Sequence, residues 1–133
     1  MRFVDRYPII VTPKLFACRD FWRDTLDFEV VFEASWFVLL QAEEGSVTLA
    51  FMHPDHPSAP PGPEPFSGKG MCFELQVEDA TSALAAFKGT PEYPLTREPF
   101  GQLRFGFHDP SGLWVDVVEQ VAPTESFWDR YIT

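Results

Sequence analysis

Apolar and polar positions along this chain follow two periods, and the periods change places twice in the same order. YPIIVT, from Tyr7, is a continuous apolar run that reads as a strand. After it, PKLFACRDFWRDTL puts Leu15, Cys18, Trp22 and Leu26 three or four residues apart, which is one face of a helix. Thr12 can cap that helix and Pro13 suits its first turn. FEVVFEA, SWFVLLQA and SVTLAFMHP follow as three strands, the last two joined by a turn at Glu43 to Ser46. In the middle one, Trp36, Val38 and Leu40 share a face opposite Phe37, Leu39 and Gln41.

The second half repeats this order. In MCFELQV, Met71, Phe73, Leu75 and Val77 alternate with Cys72, Glu74 and Gln76, so one face is apolar and the other mixed. Asp79 is placed to cap a helix over ATSALAAFK, with Ala80, Ala83, Leu84 and Phe87 on one side and Gly89 available as a left-handed stop. PLTREPF, LRFGFHD and LWVDVVEQ supply three more strands, the last two joined by the turn Asp109-Pro110-Ser111-Gly112. The fold class is therefore α+β, two tandem βαβββ units within a single domain over 1–133. Unit one covers about 7–52 and unit two about 71–119. Between them the Pro- and Gly-rich stretch 53–70 has no helical or strand period and reads as a surface connector. The tail 120–133 carries Phe127, Trp128, Tyr131 and Ile132 on roughly one side of a short helix, which could cover the core or a partner protein.

Composition narrows the function. Fourteen Phe and four Trp make the chain strongly aromatic, and a formal charge of −10 argues against a phosphate-backbone partner. Such a field would attract cationic small molecules, although solubility alone is a sufficient reason for it. No apolar run is long enough for a membrane span, and MRFVDRYPII lacks the apolar stretch of a signal peptide, so a cytoplasmic protein is expected. Cys18 and Cys72 match no zinc spacing and read as free thiols, Cys72 as a buried, inert one. In the connector, His53 and His56 of HPDH could chelate a metal, or could be two solvated loop side chains.

Asp116 poses the sharpest question, because it interrupts the apolar run Leu113 to Val118 and an unpaired buried carboxylate costs several kcal/mol. Taken with FWRDTLDFEVVFE, FELQVEDATSALAAF and FGQLRFGFHDPSGLWVDVVE, the doubled βαβββ pattern resembles the vicinal oxygen chelate superfamily. That superfamily includes glyoxalase I, bleomycin-resistance proteins and extradiol dioxygenases. Asp27 departs from it, standing where such proteins usually have Gly. The resemblance implies curled mixed sheets around a cavity, with helices outside and metal ligands at four strand positions in the metal-dependent members. It also implies a homodimer.

Carried onto this chain, those positions fall on Asp116, near Cys72, near Tyr7, and among Thr48, Ala50 and Met52. Only one is a carboxylate and none is His, so no metal, cofactor or catalytic residue is expected. The expected ligand-binding residues are Tyr7, Trp36, Cys72, Glu74, Arg104, Trp114 and Asp116, aromatic walls with acidic groups that suit a cationic or aromatic organic compound. Packing and cross-strand pairing could equally account for each of these residues, Glu74 with Arg104 above all. Two rival classes stand beside this reading: a metal-dependent lyase, isomerase or dioxygenase using Asp116, and an interaction module docking through the aromatic tail.

Overall fold

The computed structural model describes residues 1–133. It contains two compact units, Met1–Lys69 with Asp109–Gly112, and Gly70–His108 with Leu113–Thr133. In the first unit, β1 (Ile9–Val11) leads into α1 (Leu15–Leu26), followed by β2 (Glu29–Glu33), β3 (Phe37–Ala42) and β4 (Val47–Met52). In the second, β5 (Cys72–Gln76), α2 (Ala80–Ala86), β6 (Tyr93–Glu98), β7 (Gln102–His108) and β8 (Trp114–Gln120) repeat that order. Each unit builds a four-stranded mixed sheet, ordered β1-β4-β3-β2 and β5-β8-β7-β6. The first strand of each runs parallel to the last and the remaining pairs are antiparallel.

In the first unit, Leu15, Cys18 and Trp22 of α1 are buried, as their spacing predicts. The helix starts later than expected. Its cap position is Lys14, without a side-chain bond, and Thr12 Oγ1 instead accepts from Lys14 N at 3.1 Å, one step before the helix. At the other end Asp27 is left-handed, with φ 58° and ψ 32°. That is the backbone state for which Gly is the default residue, and Asp tolerates it better than most. Val38 pairs with Phe51, and the Phe51 ring meets Trp22 at 6.4 Å, so Val38 and Leu40 face α1. The face shared by Trp36, Val38 and Leu40 is therefore the core side of this sheet. Trp36 itself lies in the bend before β3, edge-on to Phe37 at 5.8 Å.

In the second unit, Asp79 caps α2 as expected, its Oδ1 accepting from Ser82 N at 3.0 Å. Gly89 does not end the helix. Phe87 turns into extended backbone at the C-cap and sends its ring onto Phe107, stacked at 4.6 Å, and toward Phe105 at 5.8 Å. With Val115 and Val117, these rings form the core under α2. The tail makes a 3-10 turn over Phe127–Arg130 and is held to its own unit, Trp128 Nε1 donating to the Phe100 carbonyl at 2.9 Å. The connector makes no helix or strand, and Phe66 N ties it to Val11 O at 2.8 Å.

Candidate functional site: a carboxylate face built around Arg104

Strand register puts the chemistry of the second unit on one side of its sheet. β8 lies between β5 and β7, with Glu74 and Gly106 opposite Asp116, Cys72 and His108 opposite Trp114, and Arg104 opposite Val118. Because side chains alternate along a strand, these residues share the face away from Phe105, Phe107, Val115 and Val117. Five of the seven expected residues therefore come together: Cys72, Glu74, Arg104, Trp114 and Asp116. Tyr7 and Trp36 belong to the first unit, where Tyr7 is half-exposed and precedes β1.

Asp116 is 2% exposed, and both its oxygens are taken. Trp114 Nε1 donates to Oδ1 at 2.8 Å and Arg104 Nη1 to Oδ2 at 3.1 Å. The guanidinium reaches further, Nε and Nη2 each lying 2.7 Å from Glu98 Oε2, which also accepts from Tyr93 Oη at 2.8 Å. Tyr93 and Phe100 offer their ring faces to the Arg104 cation, with centroids at 5.0 and 5.6 Å. Burial alone pushes the Glu98 carboxyl up, but the Tyr93 and Arg104 donors outweigh it and hold Glu98 below its ordinary value. Burial likewise opposes the Arg104 charge, and Glu98 and Asp116 more than restore it.

Across the strand from Asp116, Glu74 behaves in the opposite way. Burial, then the hydrogen bond and charge of Asp116, push its carboxyl up, so Glu74 gives up its proton less readily than an ordinary glutamate. The same causes act on Cys72, whose thiol is raised by lost solvation and then by Glu74 and Asp116. Cys72 is nonetheless exposed rather than buried, since β5 is an edge strand paired on one side only.

Three residues of this arrangement were not expected from the sequence. Tyr93 and Glu98 are five positions apart and should face opposite ways, but a register shift between Tyr93 and Thr96 brings both to Arg104. Gly106 is the third. A Cβ there would overlap the Trp114 ring and lie 2.9 Å from Asp116 Oδ1, so only Gly lets the indole reach across to Asp116. A glycine inside a strand pattern signals such a close approach. At the rim, His108 Nδ1 meets Glu92 Oε2 at 2.5 Å and its ring sits edge-on to Trp114. The connector histidines are occupied locally: His53 Nδ1 accepts from Asp55 N and His56 Nδ1 from Ser58 N.

The resemblance raises a metal, and the donors can be tested against one. Cys72 Sγ and the carboxylate oxygens of Glu74 and Asp116 lie within 4.8 Å of one another. A metal needs ligands that have lost their protons, yet the Cys72 and Glu74 protons are both held more tightly than usual. Asp116 has no uncommitted oxygen, and the Arg104 cation already stands 3.1 Å from it. As arranged, these residues do not fit a resident divalent ion.

Comparisons with known proteins agree on the fold and diverge on activity. Lactoylglutathione lyase from Agrobacterium tumefaciens is similar in structure, with 21% identity, a TM-score of 0.69, and coverage of 90% of this chain and 95% of the other. TnmS3, an antibiotic binding protein from Streptomyces sp. CB03234, gives 16%, 0.65, 90% and 99%. A superfamily member from Sphaerobacter thermophilus gives 24%, 0.68, 90% and 98%. No curated protein matches the chain. A family model does match residues 5–117, nearly the whole double unit, and the chain belongs to the Glyoxalase/Bleomycin resistance protein/Dioxygenase superfamily.

Proposed function

We propose that this chain is a binding protein of the glyoxalase fold that holds a small cationic or aromatic organic compound without a metal and without transforming it. The observation that carries this reading is the commitment of both Asp116 oxygens to Trp114 and Arg104. The side chain at the superfamily's final-strand ligand position is thereby engaged inside the protein. Around it, Glu92, Glu98 and Asp116 outnumber the single guanidinium, and Trp114 adds an aromatic surface. That combination suits a planar cation through charge and ring contacts. An antibiotic-binding relative shows that binding is among the uses of this fold.

A thermal-shift screen of organic cations and neutral aromatic compounds tests the reading. A ligand at 100 times its dissociation constant adds about 2.7 kcal/mol, which moves the melting temperature of a domain this size by several degrees. At least one planar cation should do so, and Glu74→Gln should weaken the effect. A folded, monodisperse protein that no compound stabilises would overturn the proposal.

A second reading, a metal-dependent lyase, isomerase or dioxygenase, is favoured by the approach of Cys72, Glu74 and Asp116. It requires one equivalent of metal in the purified protein, lost on Asp116→Ala. A cytoplasmic homodimer completes the proposal. Half-exposed Val31 and Phe32 on the edge strand β2 supply apolar surface for pairing, and no helix is long and apolar enough to cross a membrane.

A further inference from the structure

We propose that Arg104 is the resident cation of this site: its guanidinium occupies the charge position a divalent ion would take beside Asp116, and its removal turns Cys72, Glu74 and Asp116 into a divalent-cation site. The inference rests on the metal-free reading and adds a cause for it.

The geometry supports this in three steps. Three donors of two types that transition metals accept, one thiol and two carboxylates, already converge, their atoms within 4.8 Å of one another, so the ligand set needs no rebuilding of the backbone. The register that pairs Cys72 with Trp114 and Glu74 with Asp116 fixes them on two adjacent, hydrogen-bonded strands. What opposes a metal is the guanidinium 3.1 Å from Asp116 Oδ2. A divalent ion seated on that carboxylate would sit within a few ångströms of a fixed positive charge.

Arg104 cannot easily move aside. Glu98 holds it through two nitrogens at 2.7 Å, and Tyr93 and Phe100 flank it. Nor can it lose its charge, since a guanidinium stays protonated under all ordinary conditions. A lysine or histidine in its place could do either. The protein thus carries its own counter-ion for Asp116, covalently attached and insensitive to metal supply.

The test is a titration with Co(II), whose absorption reports both tetrahedral coordination and a thiolate ligand, on the whole chain and its variants. The wild type should take up no stoichiometric Co(II). Arg104→Leu should bind about one equivalent, with affinity raised about a hundredfold or more by removal of the neighbouring charge. Adding Cys72→Ser should abolish the thiolate band, and adding Asp116→Asn should abolish binding. Because Arg104→Leu leaves Glu98 with Tyr93 but without its cation, the double variant Arg104→Met with Glu98→Gln provides the same measurement with that charge removed. Stoichiometric Co(II) in the wild type, lost on Asp116→Asn, would overturn both this inference and the metal-free reading. If neither the wild type nor the folded Arg104 variants bind, or if binding survives loss of Cys72 and Asp116, only the inference falls.

Discussion

Glu98 and Glu74 flank Arg104 and Asp116 on the same sheet face, yet pH acts on them in opposite senses. Glu98 is held below its ordinary value, so its contribution to stability is complete above the unfolded-state value and disappears as pH falls through the lower folded one. Glu74 is raised, so its contribution is present while it is protonated and is lost as pH rises through the folded value. Glu74→Gln should therefore stabilise the protein at neutral and alkaline pH, by at most about 1 kcal/mol because solvent reaches this edge strand, while leaving acid stability unchanged. Glu98→Gln should destabilise at neutral pH and flatten the acid limb. Melting curves from acid to alkaline pH check both, and a Glu74→Gln protein that melts lower at pH 8 would contradict the upward shift of Glu74. The thiols give a simpler measurement. Burial first, and then the charge of Asp109, push Cys18 up to about 12, so native protein at pH 8 should take one iodoacetamide label, at Cys72, more slowly than a free thiol. At this scale strand parity was a good guide, since it placed Asp116, Trp114, Glu74, Cys72 and Arg104 together. It did not bring Tyr93 and Glu98 to the site, because a register shift in β6 breaks the period of two; Pro94, which cannot donate to the ladder, is the local sign of that shift.

Among the elements, α1 shows how a correct local reading can miss the bond that fixes it. Trp22 was expected on the buried helical face and Asp109 in a turn, and both are there. Trp22 Nε1 donates to Asp109 Oδ2 at 3.0 Å, across 87 positions of sequence that no periodicity connects. Asp109 Oδ1 meanwhile accepts from Ser111 N at 2.8 Å, shaping the turn that ends in Gly112 with φ +90°. One buried carboxylate thus satisfies an indole in the core and orders its own turn. Asp109→Ala should cost about 2–4 kcal/mol, since it strands a buried donor and loosens the turn together. Asp109→Asn, which keeps one oxygen for either Trp22 or the two Ser111 donors, should cost less. Urea unfolding with an unchanged slope measures the difference, and a loss for Asp109→Ala below 1 kcal/mol would mean that Trp22 finds another acceptor. The ends of the helices were the least legible part. Thr12 and Gly89 have the right chemistry for a cap and a stop, but the chain uses Thr12 one step early and replaces Gly89 with the anchoring of Phe87 on Phe107.

For the whole molecule, the doubled order of strands and helices was legible because each unit spells its own hydrophobic periods, and the family follows from that order. The site was not legible to the same depth, because its chemistry depends on which strands become neighbours and on the Gly106 gap that admits Trp114. Charge is the remaining global property. A net −10 means that self-repulsion opposes the folded state. The exposed ion pairs, such as Arg23 with Asp24 at 2.8 Å, return little, and salt weakens them too. The Arg104–Asp116 pair is shielded by its burial and changes little with salt. Raising NaCl from about 10 mM to 150 mM shortens the Debye length from about 30 Å to 8 Å, which screens distant like charges more than pairs in contact. The melting temperature at pH 7 should therefore rise over this range, and rise less in a variant with several exposed carboxylates neutralised. The same screening should slow the association of a cationic ligand while leaving a neutral aromatic one unaffected. A melting temperature that falls with salt would mean that contact ion pairs, rather than the excess of acid groups, dominate the electrostatics of this fold, and the argument for drawing a cation to the Asp116 face by its field would lose its basis.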